Sequence, residues 1–132
     1  MAMLVAALAF ALSGQAAPTS PGTPVPFDYV DAKRLSDADE ASVSGPAHDA
    51  MVAAQRKLLD AGVVECSLGK PQADFSAFTI VMRLDAQGVV GQTWRQGGSP
   101  LAICLQRYVR GKTVFVPPKA PFHGSLEISF GK

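Results

Sequence analysis

The sequence predicts an α+β fold: two helices packed on a small, mainly antiparallel three-stranded sheet, closed by one disulfide, in the order helix, strand, strand, helix, strand. Three observations carry this expectation. Two segments hold an apolar stripe at helical spacing. One run with every second residue apolar leads into a tight-turn sequence. The chain also has two cysteines, an even number that suits a single bridge. With 132 residues, 48% hydrophobic and 17% charged, it has material for one cored domain and is too apolar to be disordered throughout.

The first helix is expected at Pro46 to Ala61. Ser44 can cap it, Pro46 suits its first turn, and Asp49 lies near its positive end. Met51 and Leu58 repeat at seven residues, as do Val52 and Leu59, with Ala54 between them, while Gln55, Arg56 and Lys57 fall mostly on the other side. Gly62 reads as the terminator, which leaves Val63 to Ser67 as a short extended piece delivering Cys66. The strand signal follows: Phe78, Ile80, Met82 and Leu84 alternate with Thr79, Val81 and Arg83, so the two sets face opposite ways. Asp85-Ala86-Gln87-Gly88 is a turn, with glycine supplying the positive φ, and Val89 to Arg95 returns as a second strand.

Ser99 and Pro100 open the second helix as cap and first-turn proline. Leu101, Cys104, Leu105 and Tyr108 fall on one buried face, and Gly111 ends it. Val114, Phe115 and Val116 run extended into Pro117-Pro118, which cannot continue a ladder. In the last strand Leu126, Ile128 and Phe130 alternate with Ser125, Glu127 and Ser129.

The N-terminus points to export. Met3 to Leu12 is an unbroken apolar run followed by Ser13, Gly14, Gln15, Ala16 and Ala17, the pattern of a signal peptide cleaved after Ala16. The run is about half the roughly 20 apolar residues a membrane span needs, so no stable span is expected. The domain reading is therefore residues 1–16 signal peptide, 17–43 Pro-rich linker and irregular acidic segment, and 44–132 the folded domain. In an oxidising compartment Cys66 and Cys104 are expected to pair. Their loop of about 37 residues contributes roughly 4 kcal/mol in the chain-entropy model. Cys104 on the inward helical face would join helix to sheet.

Net charge is +1, which argues against nucleic acid as an obligate partner. The charge is uneven. Phe27 to Cys66 has eight acidic and four basic residues. From Val89 onward, Arg95, Arg107, Arg110, Lys112, Lys119 and Lys132 face only Glu127, leaving a basic surface. No enzymatic chemistry is expected. Gly97-Gly98-Ser99-Pro100 lacks the second glycine of a nucleophile elbow. Bridged cysteines are no nucleophiles. No cofactor is expected, since Gly97-Gly98 lacks the lysine and hydroxyl of a phosphate loop. No metal site is expected, since Cys66, Cys104, His48 and His123 contain no close-spaced pair. Both histidines are expected to be exposed, in a helix start and a loop. Trp94 is either core or, beside Arg95, a protein-contact anchor, depending on a strand register that one residue would reverse.

The stretch FTIVMRLDAQGVVGQTWRQGGSPLAICLQRYVRGKTVFVPP followed by SLEISF resembles the C-terminal domain of the TonB energy transducers and their TolA-like periplasmic relatives. The shared order is a strand ending in Asp-x-x-Gly-x-Val, a returning strand, a small-residue turn and a helix. Phe115 then stands before Pro117-Pro118, and a short last strand closes the pattern. The resemblance implies a binding domain of the Gram-negative envelope, in the periplasm, whose last strand captures an extended peptide at a sheet edge. It places partner contacts at Leu126, Glu127, Ile128, Ser129 and Phe130, to which Trp94 and Arg95 are added as an anchor. The expected partner is a protein or extended peptide of the envelope, and an exposed edge equally allows a homodimer. Two alternatives stand beside it: an accessory subunit of an envelope transport complex anchored by an uncleaved N-terminus, and a binder of small molecules or envelope polymers through the basic surface.

Overall fold

The computed structural model describes residues 28–69 and 74–130. The expected signal peptide and the Pro-rich stretch up to residue 27 lie outside the described residues. The acidic segment that follows is not irregular. It forms a helix, α1 (Tyr29–Ala41), started by Asp28, whose carboxylate accepts the Asp31 amide at 3.0 Å. Its buried residues are Ala32, Ser36 and Asp39, a helical i, i+4, i+7 stripe. None of the three is a large apolar side chain, so the period carried no hydrophobic signal.

The second helix, α2 (Gly45–Ser67), starts at Ser44 with Pro46 in its first turn. It does not stop at Gly62, and Cys66 rides on its last turns rather than on an extended piece. Gly62 is a packing glycine. A Cβ there would lie 2.4 Å from Leu105 Cδ2 and 2.9 Å from Tyr108 Cδ1, so its missing side chain lets two helices approach closely. The partner is α3 (Pro100–Val109), capped by Ser99, whose hydroxyl accepts the Ala102 amide at 3.2 Å. Cys66 and Cys104 are bridged, with 5.9 Å between their α-carbons. The bridge therefore joins helix to helix, not helix to sheet.

The sheet has the order β2-β1-β3, with both pairings antiparallel, from β1 (Phe78–Leu84), β2 (Val90–Gln96) and β3 (Phe122–Ile128). The Asp85–Gly88 turn forms as expected: Gly88 has φ +81, and the Asp85 carboxylate accepts the Gln87 and Val89 amides. Phe78, Ile80, Met82, Leu84, Phe122 and Leu126 meet Met51, Leu58, Leu101 and Leu105 in the main core. The opposite face of the sheet is covered too, since Val81 and Trp94 pack with Ala32 and Tyr29 of α1. The molecule is thus a sheet with α2 and α3 on one face and α1 on the other.

Trp94 is core, only 8% exposed. A register irregularity settles its side: Met82 pairs with Thr93 but Leu84 with Val90, so β2 holds one residue more than β1 over this step. That bulge reverses the alternation. Val90 faces the main core, and Trp94, an even number of residues later, faces α1. β3 begins earlier than the alternation at 126–130 indicates. Phe122 is fully buried, edge-on to Phe115 with ring centroids 5.3 Å apart. A Cβ on Gly124 would come 3.1 Å from the buried Gln55 amide nitrogen. His123 lies between them inside the strand and is buried, not in an exposed loop.

Candidate functional site: the outer edge of the last strand

Among the described residues, β3 has a strand partner on one side only. In an antiparallel pair the backbone groups of successive residues point alternately toward the partner and away from it. Two hydrogen bonds fix the phase. The His123 amide donates to Asp39 Oδ2 at 2.8 Å, and the Ser125 amide donates to Glu40 Oε1, also at 2.8 Å. His123, Ser125 and Glu127 therefore turn their backbone outward, while Gly124, Leu126 and Ile128 turn theirs to β1. The N-terminal half of the edge is occupied by carboxylates from the end of α1. At Glu127 no hydrogen bond from a described residue reaches the outward backbone, and Lys33 of α1 meets only its side chain.

The expected contact residues separate accordingly. Leu126 is buried in the main core and Ile128 packs against it, so neither offers its side chain to a partner. Glu127, Ser129 and Phe130 are exposed. Phe130, 44% exposed, meets Phe75, 61% exposed, edge-on at 5.5 Å between ring centroids. Beside them a groove at the sheet end is lined by Phe78, Thr79, Gly97, Glu127, Ile128 and Ser129. Trp94 and Arg95 are on β2, at the opposite edge, and do not join this set. Trp94 is enclosed under α1, and Arg95 spans to α3, donating to the Gln106 side chain and to the Gly97 carbonyl at 2.7 Å.

A polar layer fastens α1 over the sheet. Asp39 is paired with Lys119 at 2.8 Å, and Glu40 also accepts the Ser125 hydroxyl at 3.0 Å. Lys33 bridges Asp37 and Glu127, the latter at 2.8 Å. Partial burial works against the lysine's charge, but hydrogen bonds to the two carboxylates outweigh it and raise its pKa above the ordinary value. Asp39, Glu40, Lys33 and Lys119 were not legible as site residues, because their meeting with β3 is wholly tertiary. Asp39 and His123 Nδ1 lie 3.5 Å apart, yet the ring sits under Asp39 and against Trp94, only 2% exposed, where no substrate reaches it.

Burial pushes His123 below the ordinary imidazole pKa of 6.5, against the attraction of Asp39. The sign follows from proton uptake. Above pH 6.5 neither state holds the extra proton, and below it the unfolded chain binds one that the folded ring resists. Stability should therefore be full above pH 6.5 and decline as pH falls through the window beneath it. Urea unfolding between about pH 7 and pH 5 checks this. The wild type should lose stability and His123→Gln should show a flatter profile. Parallel profiles would assign the loss to another group.

Among the described residues no group of His, Cys, Asp or Glu is arranged to hold a metal ion, and no helix is long and apolar enough to cross a membrane. The disulfide suits an oxidising compartment. In comparisons with known proteins, no family model, no curated protein and no solved structure matches the chain.

Proposed function

We propose that this is a non-enzymatic, exported domain that binds an extended segment of an envelope protein by adding it as a strand to the open half of the β3 edge. The carrying observation is the outward backbone of Glu127 and its continuation to Ser129, next to the exposed Phe75–Phe130 pair. Unpaired edge groups give affinity through main-chain hydrogen bonds, and flanking apolar side chains give selectivity. The resemblance of the element order to TonB C-terminal domains supports the reading, as does the place of the last strand at a sheet edge. The periplasm is the compartment we assign, from the apolar N-terminal run and the disulfide together.

Site-specific photocrosslinking in a host cell tests the proposal. A benzophenone amino acid at Phe130 should give a discrete crosslinked product, to an envelope protein or to a second copy of this chain. The same group at Val52, exposed on α2 across the molecule, should give none. Equal patterns from both positions, or none from Phe130, would end the edge reading.

A second reading has its own observation. Arg95, Arg107, Arg110 and Lys112 cluster around α3 and its seam with β2, where Arg110 reaches Thr93. No carboxylate among the described residues pairs with any of the four. An anionic envelope polymer would bind there with an affinity that falls as salt rises.

A further inference from the structure

We infer that α1 is the resident occupant of the binding edge: its Asp39 and Glu40 carboxylates stand where the carbonyl oxygens of an incoming strand would stand, and a full-length strand partner binds β3 by displacing α1. The inference rests on the strand-addition reading and specifies how that site is regulated.

The geometry argues for substitution. Outward amides recur at every second residue of an edge strand. The amides of His123 and Ser125 are two successive members of this row, and each donates at 2.8 Å to a carboxylate from consecutive residues of the last helical turn. A carboxylate is a strong acceptor for a backbone amide, so the edge is satisfied while α1 stays. A strand cannot pair at 123–125 at the same time, because each amide has one hydrogen to give. At Glu127 the edge is open, and a partner that pairs at 127–129 first would meet the end of α1 as it extends toward the start of β3.

The attachment of α1 suits a detachable element. Its buried residues are Ala32, Ser36 and Asp39, none of them a large apolar side chain, and Ala32 and Tyr29 pack on Val81 and Trp94. Segments with little buried apolar area open at lower free energy than the core around them. The C-terminal half of α1 is held by polar contacts: the two amide–carboxylate bonds and Lys119 on Asp39, with Lys33 on Glu127 further back. Glu127 thereby ties the open half of the edge to α1, so engaging it also loosens the helix. An edge occupied in the free protein is protected from pairing with its own copies. Affinity for a strand partner is then reduced by the fraction of molecules with α1 released.

Native-state hydrogen exchange on the full chain tests the gate without a ligand. The amides of α1, His123 and Ser125 should exchange as one set, through an opening about a hundredfold more frequent than that of the inward-pointing Gly124 and Leu126. If all of them exchange together, only through global unfolding, the gate is overturned. The binding arm uses a nine-residue peptide alternating threonine and valine with lysine at both ends, followed by amide shifts. In the wild type it should perturb Glu127 to Phe130 alone. In Glu40→Ala, which leaves the more buried Asp39 in place, the perturbation should extend to Ser125 with binding about tenfold tighter. A peptide that binds both proteins equally at 127–130 overturns the gate and leaves strand addition standing. A peptide that perturbs the edge of neither overturns strand addition, and the gate with it.

Discussion

Replacing Cys66 and Cys104 together by serine should lower unfolding free energy by about 4 kcal/mol and the melting temperature by roughly 15–30 °C, with the native far-ultraviolet circular dichroism retained in the cold. The bridge spans a sequence separation of 38, and that span contains the whole β1–β2 hairpin. Cutting it frees the unfolded chain to explore conformations the closed loop forbids, which is where most of the stabilisation arises in the entropic account. In the folded state the bridge ties the last turns of α2 to the middle of α3. The rest of that contact, Gly62 against Leu105 and Tyr108, persists, so the variant should fold to the same structure and simply melt sooner. Thermal and urea unfolding of the oxidised, reduced and double-serine proteins decides the matter. A loss under about 1 kcal/mol would mean that the reduced unfolded chain already holds its ends together. Following peptide binding at low temperature in the same three proteins separates loss of stability from loss of site.

The elements that could be read from the sequence are those whose own residues carry the signal. Phe78 to Leu84 alternates, Asp85 and Gly88 can only make a turn there, and Ser99-Pro100 marks a helix start whether or not anything packs on it. What could not be read depends on something distant. Helix α1 hides because its buried stripe is Ala32, Ser36 and Asp39: the sheet face it meets accepts small and charged side chains, so the period is written without hydrophobicity. Asp28 as a cap with Asp31 in the first turn was the available cue. Gly62 has the same composition as a helix terminator, and only the proximity of α3 shows that the missing Cβ is needed for packing. The side taken by Trp94 hinges on one extra residue in β2, invisible to any alternation count. The site divides the same way. The last strand followed from the alternation at Ser125 to Ile128 and its edge position from the resemblance, whereas Asp39 and Glu40, which meet that edge, lie 84 and 85 residues away in sequence.

Gly88→Ala should be the most damaging alanine substitution among the described glycines, costing about 3 kcal/mol or more, whereas Gly111→Ala should cost only about 1–2 kcal/mol. The two glycines have nearly the same backbone, φ +81 and φ +77, so each pays a similar penalty for a Cβ in the left-handed region. Their surroundings differ. Around Gly111 nothing lies within 4 Å of the added carbon, while at Gly88 it would sit 1.9 Å from the Phe115 carbonyl oxygen. That oxygen belongs to backbone and cannot swing away as a side-chain tip does. Relief requires the turn and the 113–115 segment to part, which breaks the Val114 amide bond to Gly88 O at 2.9 Å and the bridge between Val89 and Thr113. Phe115 would then lose its edge-on contact with Phe122, and the disturbance would enter the core at the start of β3. Urea unfolding of the two variants measures the difference directly. Equal losses would show that the left-handed backbone alone sets the cost, and that the 111–115 segment yields at little expense. The larger loss at Gly88 would show that this close approach, between a hairpin turn and the segment before Pro117, adds its own cost to that of the left-handed backbone.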